Sequence, residues 1–340
     1  MIDLRSDTVT RPTSAMLDAM MGARVGDDVF GEDETVNALQ QKAAELFGME
    51  TALFCPSGTM TNQIAIKVHT QPGDEVICDQ LAHIYLYEGG GIAFNSGASV
   101  RLLRGDHGRF TADLVRDNVN RREDAHFPSS RLVAIENTVN KGGGCCWDLG
   151  EIGRIRQVCN ENDLALHLDG ARLFNALVAR DEAPARYGEL FDTVSICLSK
   201  GLGAPAGSLL LGRRESIKKA HRIRKVLGGG MRQAGYLAAA GIYALDHHVS
   251  RLKDDHARAK ALEGELRSLG FVSGVLPVET NIVIFQLPAA VSTEKLLVHL
   301  RQHSVRALSV APQTIRMVFH LDVTDLQFDQ LAAALRAFSP

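Results

Sequence analysis

The sequence predicts an α/β fold: a large, mainly parallel sheet with helices on both faces, followed by a smaller C-terminal α/β unit. Three observations carry this. Short apolar runs alternate with segments of helical period, as βαβ units require. The runs are apolar throughout rather than alternating, so both faces of the sheet are expected to be covered. After Gly230 the texture changes to long helices and isolated strands. The expected division is a large domain over residues 1–245, with an N-terminal arm over 1–20, and a small domain over 246–340.

The strand candidates are Thr51–Phe54, Glu75–Cys78, Val100–Leu103, Leu132–Glu136, Ala165–Asp169, Val194–Leu198 and Ser208–Leu211. Thr61–His69, Ala112–Asn120 and Glu151–Cys159 read as helices between them, joined by right-handed crossovers. In the tail, Ala234–His247 and Leu252–Leu269 read as long helices, and Asn281–Phe285 and Ile315–Phe319 as strands. Val323–Phe338 reads as a closing amphipathic helix.

Composition narrows the function. The 340 residues carry 37 Lys and Arg against 40 Asp and Glu, a net charge of −3, which offers no electrostatic footprint for nucleic acid or an anionic membrane. No stretch approaches the ~20 apolar residues of a spanning helix. The polar start, Met1 to Asp7, does not resemble a secretion signal, so a cytoplasmic location is expected. Of the cysteines, Cys78, Cys159 and Cys197 lie in or beside apolar or helical stretches, and the adjacent Cys145 and Cys146 lack a second pair that would complete a zinc site. No metal is expected.

Three constellations carry chemistry. In Ala165–Arg172, Asp169 ends a buried strand and Gly170 turns the chain toward a helix, at the strand edge where such sheets bind ligands. A carboxylate there needs a donor or a cation, although it could also serve only as a helix cap. In Ser195–Pro205, Lys200 follows a second buried strand and is crowded by Gly and Pro. An amine so placed can lose its proton and attack a carbonyl. The strand–helix–strand spacing puts it at the same sheet edge as Asp169. In Cys55–Asn62, the Ser57-Gly58-Thr59 turn opens a helix and offers N–H groups to an anion. It lacks the Lys of a nucleotide-triphosphate loop. An anion cradle, a carboxylate and a reactive amine together meet the needs of pyridoxal 5'-phosphate: its phosphate, its ring nitrogen and its aldehyde.

The chain also resembles the low-specificity L-threonine aldolases, fold-type-I pyridoxal-phosphate enzymes related to the β-eliminating lyases. The resembling stretches are Ile2–Pro12, Val25–Asp33, Ser57–Asn62, His83–Tyr85, Leu132–Thr138, His167–Arg172, Leu198–Pro205, Gly228–Gly235 and Thr280–Val283. They run from the second residue to beyond 280, so the likeness spans nearly the whole chain. The runs DLRSDT, LDGAR, SKGLGAP and GGGMRQAG are, in combination, highly specific to that family.

The resemblance implies a fold-type-I architecture and a role for each matched residue. Lys200 would hold the cofactor as a Schiff base, and Asp169 would pair with the protonated ring nitrogen. Arg172 would donate to the ring oxygen. Ser57, Gly58 and Thr59 would cradle the phosphate. Lys225 and Arg232 match positions that reach a neighbouring subunit, which implies a homotetramer built as a dimer of dimers. His83 would stack on the ring and meet the substrate hydroxyl, and His126 would face the substrate side chain. Ser6 and Arg316 would bind the substrate carboxylate, a task that suits the guanidinium fork. Phe30 stands where the family leads one to expect Tyr, so a hydroxyl is lost there. Glu88 lies near the site without an assigned role.

The implied reaction is retro-aldol cleavage of L-threonine, L-allo-threonine and other L-β-hydroxy-α-amino acids to glycine and an aldehyde, acetaldehyde from threonine. His83 or His126, directly or through water, would take the hydroxyl proton. The alternatives are β-elimination or racemisation on the same cofactor frame. Fifteen of the 31 glycines fall in or beside these loops, as tight turns around a planar group would require.

Overall fold

The computed structural model describes residues 1–340. A two-residue strand, β1 (Ile2–Asp3), opens the chain. The main sheet comprises β2 (Thr51–Cys55), β3 (Asp74–Asp79), β4 (Ser99–Leu103), β5 (Ser129–Glu136), β6 (Ala165–Gly170), β7 (Thr193–Cys197) and β8 (Ser208–Gly212). Their order is β2-β8-β7-β6-β5-β3-β4. All pairs from β4 to β7 are parallel, whereas β8 runs antiparallel to both β7 and β2. The reversal has a simple cause. Residues 198–207 carry no crossover helix, and a parallel return needs one.

All seven strand candidates are strands. The expectation of two covered faces holds for β5 through β8 but not for β4, the edge strand, where Ser99 and Leu102 are exposed. The helix expected over 112–120 stops at Arg116. Beyond it, the side chain of Asn120 donates instead to Glu75 and to the Pro128 carbonyl. The closing helix starts later than its periodicity suggested, at Asp325, because Thr324 and Gln327 form a reciprocal capping box. The helices Ser14–Met21, Glu34–Phe47, Arg214–Val226 and Thr293–Gln302 went unread in the sequence.

The C-terminal strands are β9 (Gly274–Val275), β10 (Ile282–Gln286), β11 (Val305–Arg306), β12 (Leu308–Ala311) and β13 (Thr314–Val318). Four of them form an antiparallel sheet of order β12-β13-β10-β9, and β11 pairs in parallel with β1. Ile2 and Leu4 therefore pack with Phe285, Met317 and Phe319 in a second apolar cluster, separate from the main core around Phe47, Trp147 and Leu198. This clamp carries the next residues of the arm across the C-terminal edge of the main sheet. There β2, β3, β5, β6 and β7 all end, so that edge is where ligand-binding side chains gather.

Asp33 locks the helix Glu34–Phe47 to the helix Gly235–His247. It is fully buried and accepts from the backbone N–H of Val36 (3.0 Å), Gly26 (3.2 Å) and Gly235 (2.9 Å). Asp33→Ala orphans all three donors, at about 1–3 kcal/mol for each buried group left unpaired. Some rehydration will offset this, so we expect a net loss of about 2–4 kcal/mol, read as a lower urea midpoint at unchanged m-value.

Candidate active site

A cavity of about 200 Å³ opens at this edge, and its walls include Ser57, Gly58, Thr59, Asn62, His83, Asp169, Ser199 and Lys200. The three sequence constellations thus converge on one space. Larger clefts exist, but the largest, about 660 Å³, lies at the opposite edge of the sheet beside His69, Arg156 and Asp192. Its charges largely neutralise one another: Arg156 pairs with Asp192 at 2.6 Å and Lys219 with Glu215 at 3.1 Å.

Ser57 caps the helix Gly58–His69, its hydroxyl accepting from Met60 N at 3.2 Å. The amides of Gly58 and Thr59 in that first turn have no intrahelical acceptor, which suits an anion. Gly58 is required there, because a Cβ would lie 2.5 Å from Cys197 Sγ. Lys200 follows β7, and its own carbonyl is tied down by Gly203 N (2.8 Å) and the Thr10 hydroxyl (3.1 Å).

Asp169 ends β6 at 2% exposure. Its Oδ2 accepts from Asn62 Nδ2 at 2.9 Å and its Oδ1 from Ala171 N at 3.1 Å. The other Nδ2 hydrogen of Asn62 goes to Glu88 Oε1 at 2.9 Å, and Gln63 donates to Glu88 Oε2 at 2.6 Å. His83 Nδ1 lies 3.0 Å from Glu88 Oε1, which leaves Nε2 for a ligand. Burial works against a charged His83, but the bond to Glu88 and the nearby Asp169 and Glu136 carboxylates prevail and raise its pKa. Ligand-capable atoms of His83, Glu88 and Asp169 fall within 4.8 Å of one another. Hydrogen bonds account for that convergence, with Asn62 bridging the two acids.

Glu136 was missed. It ends β5 as Asp169 ends β6, so the same signal, an acid closing a buried strand, would have found it. It accepts from the backbone N–H of His83 (2.8 Å) and Asn140 (2.9 Å). Burial, with Asp169 nearby, pushes its carboxyl up to about 7.

The substrate-side residues meet the N-terminal arm. Arg172 gives Nε and Nη2 to Asp7 at 2.8 and 2.7 Å, both residues being buried. Burial would raise the Asp7 carboxyl, but Arg172, then Lys200 and Asn281, hold it below its ordinary value. Arg172 Nη1 makes no hydrogen bond within the chain and is the nitrogen free to meet a ligand. Arg316 donates to Asn140 Oδ1 (2.9 Å) and the Arg5 carbonyl (3.1 Å), while its buried Nε has no partner. The Ser6 hydroxyl accepts from Thr8 N at 3.2 Å.

Besides Ser6, Arg172 and Arg316, which are not among its walls, four sequence-predicted positions lie outside the cavity. His126 sits on an exposed turn, bonded to Asp124 at 2.8 Å. Lys225 is exposed, and Arg232 reaches only Asp27, at 2.9 Å. Phe30 is 73% exposed, so a tyrosine hydroxyl at that position would have no contact to lose within one chain.

The donor set tests well against pyridoxal phosphate: an amine for the aldehyde, a buried carboxylate for the ring nitrogen and free helix amides for the phosphate. Fold and site together define a pyridoxal-phosphate-dependent lyase. Residues 3–290 match the β-eliminating lyase family. The chain is 44% identical over 339 residues, 99% of each chain, to the low specificity L-threonine aldolase of Escherichia coli K12. It is 40% identical over 334 residues to the probable low-specificity L-threonine aldolase 2 of Arabidopsis thaliana, covering 96% of this chain and 94% of that one. In fold it is similar to the threonine aldolase of Leishmania major, with a TM-score of 0.86, 24% identity and 99% of each chain covered. The chain belongs to the low-specificity L-threonine aldolase family, within the β-eliminating lyases, and is a carbon–carbon lyase.

Glu136 yields a pH test. The folded chain holds its proton up to about pH 7, whereas the unfolded carboxyl releases it near 4.5. Between these values the native state binds the extra proton, so this group's contribution to stability falls as pH rises. Glu136→Gln is expected to flatten the decline in unfolding free energy between pH 5 and 8, by on the order of 1–3 kcal/mol. Denaturation curves at the two pH values check it.

Proposed function

We propose that this site cleaves L-threonine and L-allo-threonine, with other L-β-hydroxy-α-amino acids, to glycine and the matching aldehyde. The observation that carries the reading is the convergence of Lys200, Asp169, His83 and the free amides of Gly58 and Thr59 on one cavity. Pyridoxal phosphate, when bound, supplies the carbonyl for the substrate amine and the sink for the electrons of the broken Cα–Cβ bond.

The chain's own residues do the rest. Lys200, on the cavity wall, would hold the cofactor through its side-chain amine. The orphaned Nε of Arg316, next to the arm that bears Ser6, suits a carboxylate, since a buried guanidinium N–H without an acceptor is otherwise costly. Asp169 would pair with the ring nitrogen, and Arg172 Nη1 would be left as a donor for the cofactor. His83, oriented by Glu88 through Nδ1, presents Nε2 to the β-hydroxyl and takes its proton as the bond breaks. His126, on its exposed turn, is the second candidate for that proton or for contact with the substrate side chain.

Lys225 and Arg232 would complete the phosphate end of a neighbouring copy's site in a homotetramer, a dimer of dimers. The exposed Phe30, Tyr87, Phe94 and Val226 support an interface, as large apolar side chains on a free surface are otherwise unfavourable. The two apolar clusters support a division near residue 245, with the arm seated on the smaller part. A cytoplasmic location accords with the reaction, and no helix is long and apolar enough to cross a membrane.

With threonine, the holoenzyme is expected to release acetaldehyde and glycine in equal amounts. Lys200→Ala should lose both that activity and the cofactor's long-wavelength absorbance. Ammonia and a keto acid as products would point to β-elimination instead and would sink the aldolase reading.

A further inference from the structure

Asn62 is 2% exposed, and its Nδ2 donates to Asp169 and Glu88 at 2.9 Å each. Its Oδ1 lies 3.1 Å from Nε2 of His167, which is fully buried in the middle of β6. His167 Nδ1 lies 2.9 Å from the Thr193 hydroxyl, and that hydroxyl lies 3.1 Å from His69 Nε2. Asn62 and His69 are seven residues apart on one helix, hence on the same face, and the chain of contacts runs beneath that helix.

Chemistry fixes the direction of every bond. If the Asn62 amide were flipped, its oxygen would face two carboxylates, so Nδ2 must be the atom that does. Oδ1 can only accept, and therefore His167 Nε2 carries the hydrogen. Burial pushes the pKa of both His167 and His69 down to about 4, so both rings are neutral at physiological pH. His167 Nδ1 is then an acceptor, served by the Thr193 hydroxyl, which accepts in turn from His69 Nε2. Every donor thus points the same way, from His69 to the carboxylates, and each bond polarises the next.

We propose that Asn62, oriented by His167, Thr193 and His69, is a positioning residue that aims the Asp169 carboxylate at the cofactor ring and ties it to the Glu88–His83 pair. The group that holds the ring nitrogen's proton and the group that handles the substrate's proton are thereby braced by one amide. The Thr193 hydroxyl is the keystone for the tautomer. Without it, His167 Nδ1 can turn to donation toward the Thr193 carbonyl, 3.2 Å away, and Nε2 would then confront Asn62 Oδ1 as a second acceptor.

The test uses protein stripped of cofactor and titrated with pyridoxal phosphate and with its 1-deaza analogue, which has a C–H in place of the ring nitrogen. Binding is read by fluorescence. The wild type should prefer pyridoxal phosphate, because only that ring presents an N–H⁺ to Asp169. In Asn62→Ala the preference is expected to shrink about tenfold, the scale of one lost charge-assisted bond. In Thr193→Val, which keeps the side-chain volume, it should shrink about threefold, and Thr193→Ser should restore it. A merely structural role would weaken both ligands alike. An unchanged preference in either Asn62→Ala or Thr193→Val overturns the proposal, and Thr193→Val decides alone if the alanine variant fails to fold.

Discussion

One buried negative charge organises this protein. Asp169 sits at the end of a strand whose neighbours are apolar, where a lone carboxylate is expensive. The Asn62 amide and the Ala171 N–H supply two of its partners, and the ring nitrogen is the third that the cavity can admit. Almost every other feature of the site follows from that constraint. The helix Gly58–His69 must lie where Asn62 can reach the carboxylate, and this places its free N-terminal amides on the same cavity as Asp169. β7 must pair with β6, and this puts Lys200 on the same edge. The β7–β8 reversal then frames the lysine loop without a crossover helix.

A second constraint acts on the substrate side. Asp7 is fully buried, and its charge is balanced by Arg172 and supported by Asn281. These residues come from the N-terminal arm, the turn that follows β6 and the residue just before β10. The arm reaches that position only because β1 pairs with β11 and Ile2 and Leu4 join the C-terminal cluster. Packing of this cluster therefore positions the carboxylate-binding end. The Arg172–Asp7 pair is costly to break, on the order of 3–5 kcal/mol for a buried ion pair that loses one partner.

Strand positions were legible because buried parallel strands leave continuous apolar runs, and Asp169 and Lys200 were legible because they end two of them. The polarity of β8 was not, since a strand's own residues do not record its direction relative to a neighbour. β4 misled because apolar content does not reveal an edge. Asn62 lies within the resembling run Ser57–Asn62, yet its role depends on partners about a hundred residues away, His167 and Asp169, which no local pattern can join. His83, His126 and Arg316 were marked by resemblance alone. Of these, His83 meets the buried Glu88 and Arg316 the half-buried Asn140 and Arg5, while His126 lies on the surface.

The electron sink this site would need is a protonated ring opposite the Asp169 carboxylate. The most direct measurement is the ¹⁵N chemical shift of ring-labelled pyridoxal phosphate bound to the holoenzyme at neutral pH. A pyridinium shift in the wild type that moves to the neutral-pyridine value in Asp169→Asn is the predicted result. A neutral-pyridine shift in the wild type would contradict the account.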